Sequence, residues 1–193
     1  FQITDVAILA RNSLHFCARK IVSAESSSMM SDGDIPTRII VLHTDRAEGE
    51  NCGFMELNGM SYPIVGVSRQ PFPLPSGLLA SMKGYVYPRG GSVEGPFEQI
   101  DVPGAERLVC ISGSTFSIGI GRHVHKRMSV GQREPFDAGI PRPDNVTVKM
   151  GFRDMDAFSE ADMYAVGGHG DVWHSTVLAG SRWVSRARCN LRP

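Results

Sequence analysis

Three groups of residues in this 193-residue chain are of types that do chemistry. Cys52 lies in Gly49-Glu50-Asn51-Cys52-Gly53-Phe54, flanked by glycines, with an apolar run from Pro63 to Val67 beyond it. A thiolate nucleophile needs an imidazole base placed within hydrogen-bond reach by the same fold. Of the six histidines, His15 and His43 precede Cys52, and too little chain lies upstream to build a scaffold for that base. Cys52 therefore reads as a thiol at the start of a strand. The second group is His123-Val124-His125. Residues two apart in a strand share a face, so the two imidazoles could hold one metal, with His169, His174 or Glu134 completing the shell. Against this stand the basic neighbours Lys126 and Arg127 and the distance in sequence to Glu134; the competing reading is a polar sheet face at an interface. The third group is the glycine-rich turn around His169, "VGGHGDVWH", which matches neither a dinucleotide fingerprint nor a phosphate loop and reads as a tight connection beside Trp173. Asp154, Asp156 and Asp162 are loosely clustered but do not have calcium-loop spacing.

The elements that must position these residues are mostly strands. Val6, Ala10, Leu14, Cys17 and Ile21 recur at three- and four-residue steps, which predicts one helix near the N-terminus, capped by Thr4. On another face of that helix Arg11, His15 and Arg19 would line up as a basic stripe, either solvated or touching a neighbouring subunit or nucleic acid. Residues 23–33 read as a polar loop. From Pro36 onward short β-rich runs appear, among them "TRIIVLH", "SYPIVGVSR", "RLVCISG", "FSIGIGRHVH", "VTVKMGFR" and "DVWHSTVLAG", separated by glycine and proline. The run "LLASMKGYVY" (78–87) belongs with these β-rich runs, with a turn or two of helix near residues 75–82 as the other reading. Many short strands with long irregular loops point to an all-β antiparallel sandwich or barrel.

Composition excludes several function classes. Apolar residues make up 41 % and charged residues 21 %, and 20 basic side chains balance 20 acidic ones, so no global field favours nucleic acid or an anionic membrane. No apolar run reaches membrane-spanning length. The start, "FQITDVAIL", has neither the pattern of a signal peptide nor an initiator methionine, which suits a processed product or a piece of a longer precursor. The four cysteines, at 17, 52, 110 and 189, form no CxxC pair and read as free, mostly buried thiols.

In order and spacing, several landmarks resemble the capsid proteins of picorna-like icosahedral RNA viruses. "ILARNSLHFCARK" (8–20) is similar to the family's early helix, and "PSGLLASMKGYVYPRGGS" (75–92) to its short hydrophobic helix and following strand. "GQREPFDAG" (131–139) is similar to the segment that crosses toward a symmetry axis, and "SEADMYAVGGHGDVW" (159–173) to a late acidic strand. The resemblance implies one jelly-roll coat domain over residues 1–193, an all-β antiparallel jelly-roll sandwich with one short N-terminal helix and long loops. The two strands a full jelly roll needs ahead of that helix would lie outside the chain. It implies a structural subunit that self-assembles with other coat subunits into a shell around genomic RNA, located in the virion and assembled in host cytoplasm. Such a subunit needs no catalytic residue, cofactor or metal. Arg11, His15, Arg19, Arg122, Lys126 and Arg127 are then the candidate interface or RNA contacts. Phe72, Leu74, Phe97, Phe136 and Met155 are apolar loop residues expected to become dry only between subunits. The alternative function is a cupin-type β-barrel metalloenzyme using His123 and His125. A further reading is a β-sandwich binding module.

Overall fold

The chain folds as four successive four-stranded antiparallel sheets. The computed structural model describes residues 1–69, 76–89, 98–99, 104–141, 151–176 and 182–188. The first sheet holds β1 (Gln2–Ala10), β2 (Ser13–Arg19), β3 (Thr37–His43) and β4 (Cys52–Leu57). The second holds β5 (Ile64–Ser68), β6 (Ser76–Ala80), β7 (Tyr85–Arg89) and β8 (Glu98–Gln99). The third holds β9 (Ala105–Ile111), β10 (Ser114–Gly119), β11 (Val124–Ser129) and β12 (Gln132–Pro135). The fourth holds β13 (Phe152–Ser159), β14 (Asp162–Gly167), β15 (Asp171–Thr176) and β16 (Arg182–Arg188). Within every sheet the strands pair in chain order. The first strands β1, β5, β9 and β13 pack one against the next, so the sheets succeed each other around a common line. Consecutive four-stranded meanders arranged in this way are propeller blades.

The expected jelly roll is therefore not the fold. A jelly roll requires strands that cross between two facing sheets, whereas each strand here pairs with its sequence neighbours in its own sheet. The expected N-terminal helix is the β1–β2 hairpin, turned at Arg11 and Asn12 so that Ala10 pairs with Ser13. Its apolar residues lie on both faces of the sheet, and a strand apolar on both faces loses the simple alternation that separates it from a helix. The expected helical turn at 75–82 is likewise replaced by β6. A real helix, α1 (Ala24–Met29), forms in the serine-rich stretch, where the Ser23 hydroxyl accepts a hydrogen bond from the Ser26 amide. The β9–β10 hairpin turns through Ser112 (φ 49°) and Gly113 (φ 90°), the double left-handed geometry whose twist matches its flanking strands.

Three apolar layers hold the sheets together. Cys17, Ile39, Leu57, Met60, Val65 and Leu79 fill the space between the first and second. Leu78, Ala80, Val86 and Leu108 fill the next. The largest layer, between the third and fourth, contains Phe116, Phe152, Met163, Trp173 and Trp183. There Phe116 meets Phe136 edge-on at 5.3 Å, and the Trp183 indole donates a 2.6 Å hydrogen bond to the Phe136 carbonyl. Phe136 and Met155, expected in subunit contacts, belong to this layer; Phe72, Leu74 and Phe97 lie outside the described residues.

The first interface also carries a polar side chain. His15 is only 1 % exposed, and its ring lies directly on Gly77, where a Cβ would fall 2.1 Å from Nδ1. Gly77→Ala should cost about 3 kcal/mol through overpacking, read as a lowered urea midpoint with unchanged slope. Burial, with help from the charges of His43 and Arg89, lowers the His15 pKa from 6.5 to about 4. The unfolded chain thus takes up the proton first. The contribution of His15 is complete above pH 6.5 and is lost progressively as pH falls toward about 4. A His15→Phe chain should lose less thermal stability than the native chain over that window, measured by melting at successive pH values.

Candidate functional site

The four inner strands line one cleft of about 330 Å³. Its wall includes Asp5 and Ala7 from β1, Val65 to Val67 from β5, Arg107 to Cys110 from β9 and Asp154 to Asp156 from β13. Strand alternation sets the chemistry. In β13, Met155 turns into the core while Asp154 and Asp156 on either side stay exposed. Arg107 bridges sheets by an ion pair with Asp154 at 2.7 Å. The Asp5 carboxylate accepts 2.9 Å bonds from the Val6 and Val65 amides, tying β1 to β5. Asp156 accepts one from the Ala157 amide. Three carboxylates against one guanidinium make the wall acidic. Cys110 also borders it, its thiol pKa raised chiefly by burial.

The proposed metal pair does not assemble. His123 Nδ1 lies 3.2 Å from Asp137, and its ring stacks on His125 at 5.5 Å. His125 pairs with Pro135 across the sheet and Lys126 pairs with Glu134, so Glu134 points to the other face. His174 is in the fourth sheet, bonded to Asp162 at 2.7 Å and stacked on Tyr164 at 4.2 Å. Among the described residues no group of three or more His, Cys, Asp or Glu could hold a metal. With neither a jelly-roll barrel nor a completed ligand set, the cupin alternative using His123 and His125 is withdrawn. Cys52 does begin a strand, as read from the sequence, but it is exposed, whereas Cys17 is buried and Cys110 half-buried; all three are free thiols.

The six basic candidates are dispersed. Arg11 is exposed at the β1–β2 turn. His15 lies on Gly77. Arg19 pairs with Asp32 at 3.0 Å and also donates to the Asp32 and Met60 carbonyls, pinning the loop that holds α1. Lys126 pairs with Glu160 at 2.5 Å, and Arg127 is 2 % exposed beside Ser68. Arg122 forms a buried ion pair with Asp171, reaches the Pro141 carbonyl and sits over Trp173, joining the third and fourth sheets. No local motif marks Asp171 as that partner; the pairing appears only when β15 is placed. The exposed aspartates of the cleft were visible as a cluster, but their common wall needed the sheet order.

Over 79 residues the chain is 29 % identical to Immune protein Tsi7 of Pseudomonas aeruginosa, an alignment covering 41 % of this chain and 25 % of the relative. The matched stretch thus spans a quarter of that relative's length. Among solved structures, the WD40 β-propeller domain of Doa1 superposes with a TM-score of 0.49 at 9 % identity, covering 93 % of this chain and 66 % of that one. YCF48 bound to D1 peptide superposes at 0.37 with 14 % identity, covering 100 % and 84 %. No family model matches the chain.

These findings overturn the coat-protein reading. The sheet order is not that of a jelly roll, and the matched relative is an immune protein rather than a virion component. The shell-forming function, the coat-subunit and RNA partners and the virion location fall with it. Over part of its length the chain is similar to a protein named for an immune role.

Asp171→Ala would leave the Arg122 charge buried without its carboxylate. It should cost about 3–5 kcal/mol of stability, measured by urea unfolding, while Arg11→Ala at the exposed turn should leave the midpoint unchanged within about 0.5 kcal/mol.

Proposed function

We propose that the chain is a non-enzymatic binding protein that seats a segment of a partner protein in the cleft between its inner strands. The observation that carries this reading is the shared cleft wall, contributed by four different sheets and edged by Asp5, Asp154 and Asp156 against Arg107. Strands fixed by three packed layers hold these groups without loop rearrangement, and a preorganised wall loses little entropy on binding. The excess of carboxylates favours a basic segment, and long-range attraction of that kind acts mainly on encounter rate and specificity. The partial likeness to an immune protein supports a protective role exercised by holding a partner rather than by transforming it.

The test uses short extended peptides of equal length, one arginine-rich and one glutamate-rich, titrated by calorimetry. The arginine-rich peptide should bind, weaken with added salt, and weaken again in Asp156→Asn, whose exposed side chain contributes little to folding. Equal binding of both peptides, or binding unaffected by Asp156→Asn, would overturn the reading.

A further inference from the structure

We infer that a pocket beside the cleft anchors one lysine side chain of the partner segment, its ammonium on Glu106, an assignment that rests on the basic-segment reading of the cleft. The pocket has a volume of about 430 Å³. It is lined by Tyr62 and Ile64 around the start of β5, Met82 from the β6–β7 turn, Ala105 and Glu106 from β9 and Arg153 from β13. Ile64, Glu106 and Arg153 stand one residue before Val65, Arg107 and Asp154 of the cleft wall, so the pocket adjoins the cleft on three of its inner strands.

Glu106 is the group that calls for a ligand. Its side chain is only 9 % exposed, and one carboxylate oxygen, Oε2, accepts a hydrogen bond from Arg153. The other, Oε1, is buried and has no hydrogen-bond partner. A carboxylate oxygen kept dry without a donor is unfavourable, and the side chains of Ile64, Met82 and Ala105 around the pocket offer none. Arg153 is 52 % exposed, so a swing of its long side chain toward solvent opens Oε1 to the pocket. A guanidinium fork is matched by two parallel acceptor oxygens, and here Arg153 already holds one of the pair. A compact ammonium needs only the other. Its four-carbon stem gains from lying along apolar walls such as Ile64 and Met82. The carboxylate excess of the adjoining cleft adds to the attraction for a cation.

One wall of the pocket is held in a strained conformation. Tyr62 has φ 46° and precedes Pro63, and a bulky residue before proline rarely adopts the left-handed region. Its neighbours keep it there. The Asp32 carboxylate accepts a 2.6 Å bond from the Tyr62 amide, and the Ser61 carbonyl accepts one of 2.9 Å from the Met82 amide. Met82 is itself seated on Gly104, where a Cβ would fall 2.5 Å from its Cγ. The core gains nothing from this strain, since Tyr62 is 59 % exposed. Backbone strain that packing does not explain clusters where ligands are held. Here it stands the tyrosine ring up as the outer wall against which a lysine stem can lie.

A lysine scan tests the anchor. A short extended peptide with arginine as its basic residue throughout is compared by calorimetry with variants in which one arginine at a time becomes lysine. One position should bind about tenfold tighter as lysine, and norleucine there, which keeps the stem without the charge, should lose the gain. Glu106→Gln should abolish the gain while the arginine-only peptide binds within about twofold of its native affinity. Tyr62→Gly relieves the left-handed strain and should melt no lower than the native chain, yet should lose the gain as well. If the arginine-only peptide binds but no position prefers lysine, or if the preference survives Glu106→Gln or Tyr62→Gly, the anchor is overturned and the cleft stands. If no peptide binds, both are overturned.

Discussion

A sheet whose strands are apolar on both faces is stable only when something flat and apolar lies on each side. Every other feature of this protein follows from that requirement. Cys17, Ile39 and Leu57 on one side of the first sheet need Val65 and Leu79 of the second; Leu78 and Val86 on the far side of the second need Leu108 of the third. The chain meets the demand by repetition, laying one meander against the last. Burial worth about 25 cal/mol per Å² then accumulates at boundaries between like units, and the first strands are brought side by side as a consequence. The cleft is a by-product of stacking: four inner edges come together because four cores must.

Polar groups inside this stack fix how neighbouring sheets sit. A purely apolar layer tolerates sliding, whereas a buried imidazole seated where no Cβ can fit, as His15 is on Gly77, admits one position. The ion pair between Arg122 and Asp171 does the same at the last boundary. Such a pair adds little net stability over a well-packed apolar substitute, and its value here lies in the single alignment it permits. Asp5, bonding to the amide of Val65, performs the same task at the edge of the cleft.

Much of the strand inventory was legible in the sequence. The run "TRIIVLH" is β3 from end to end, and "RLVCISG" covers the last five residues of β9 with its turn. Where the reading failed, the cause is physical. The segment from Ala7 to Cys17 is apolar on two faces with a two-residue turn inside it, so its three- and four-residue recurrences imitated a helix. The order of strands was hidden altogether, because short β runs with glycine and proline punctuation suit a sandwich and a stack of meanders equally. The aspartates of β13 were visible as a loose acidic group, but their facing partners Asp5 and Arg107 are distant in sequence and meet only through the succession of sheets.

Pairing in strict chain order has a kinetic side. Within each sheet a strand finds its partner among its immediate sequence neighbours, so the loops to be closed are short and the entropic barrier to forming one meander is low. A growing polypeptide can therefore complete its first sheet before its fourth has been synthesised. Until the second sheet is made, Leu79 is not available to cover Cys17 and Ile39. The hazardous moment for each sheet is the interval before the next one is made, when a chaperone able to shield one flat apolar surface would contribute most.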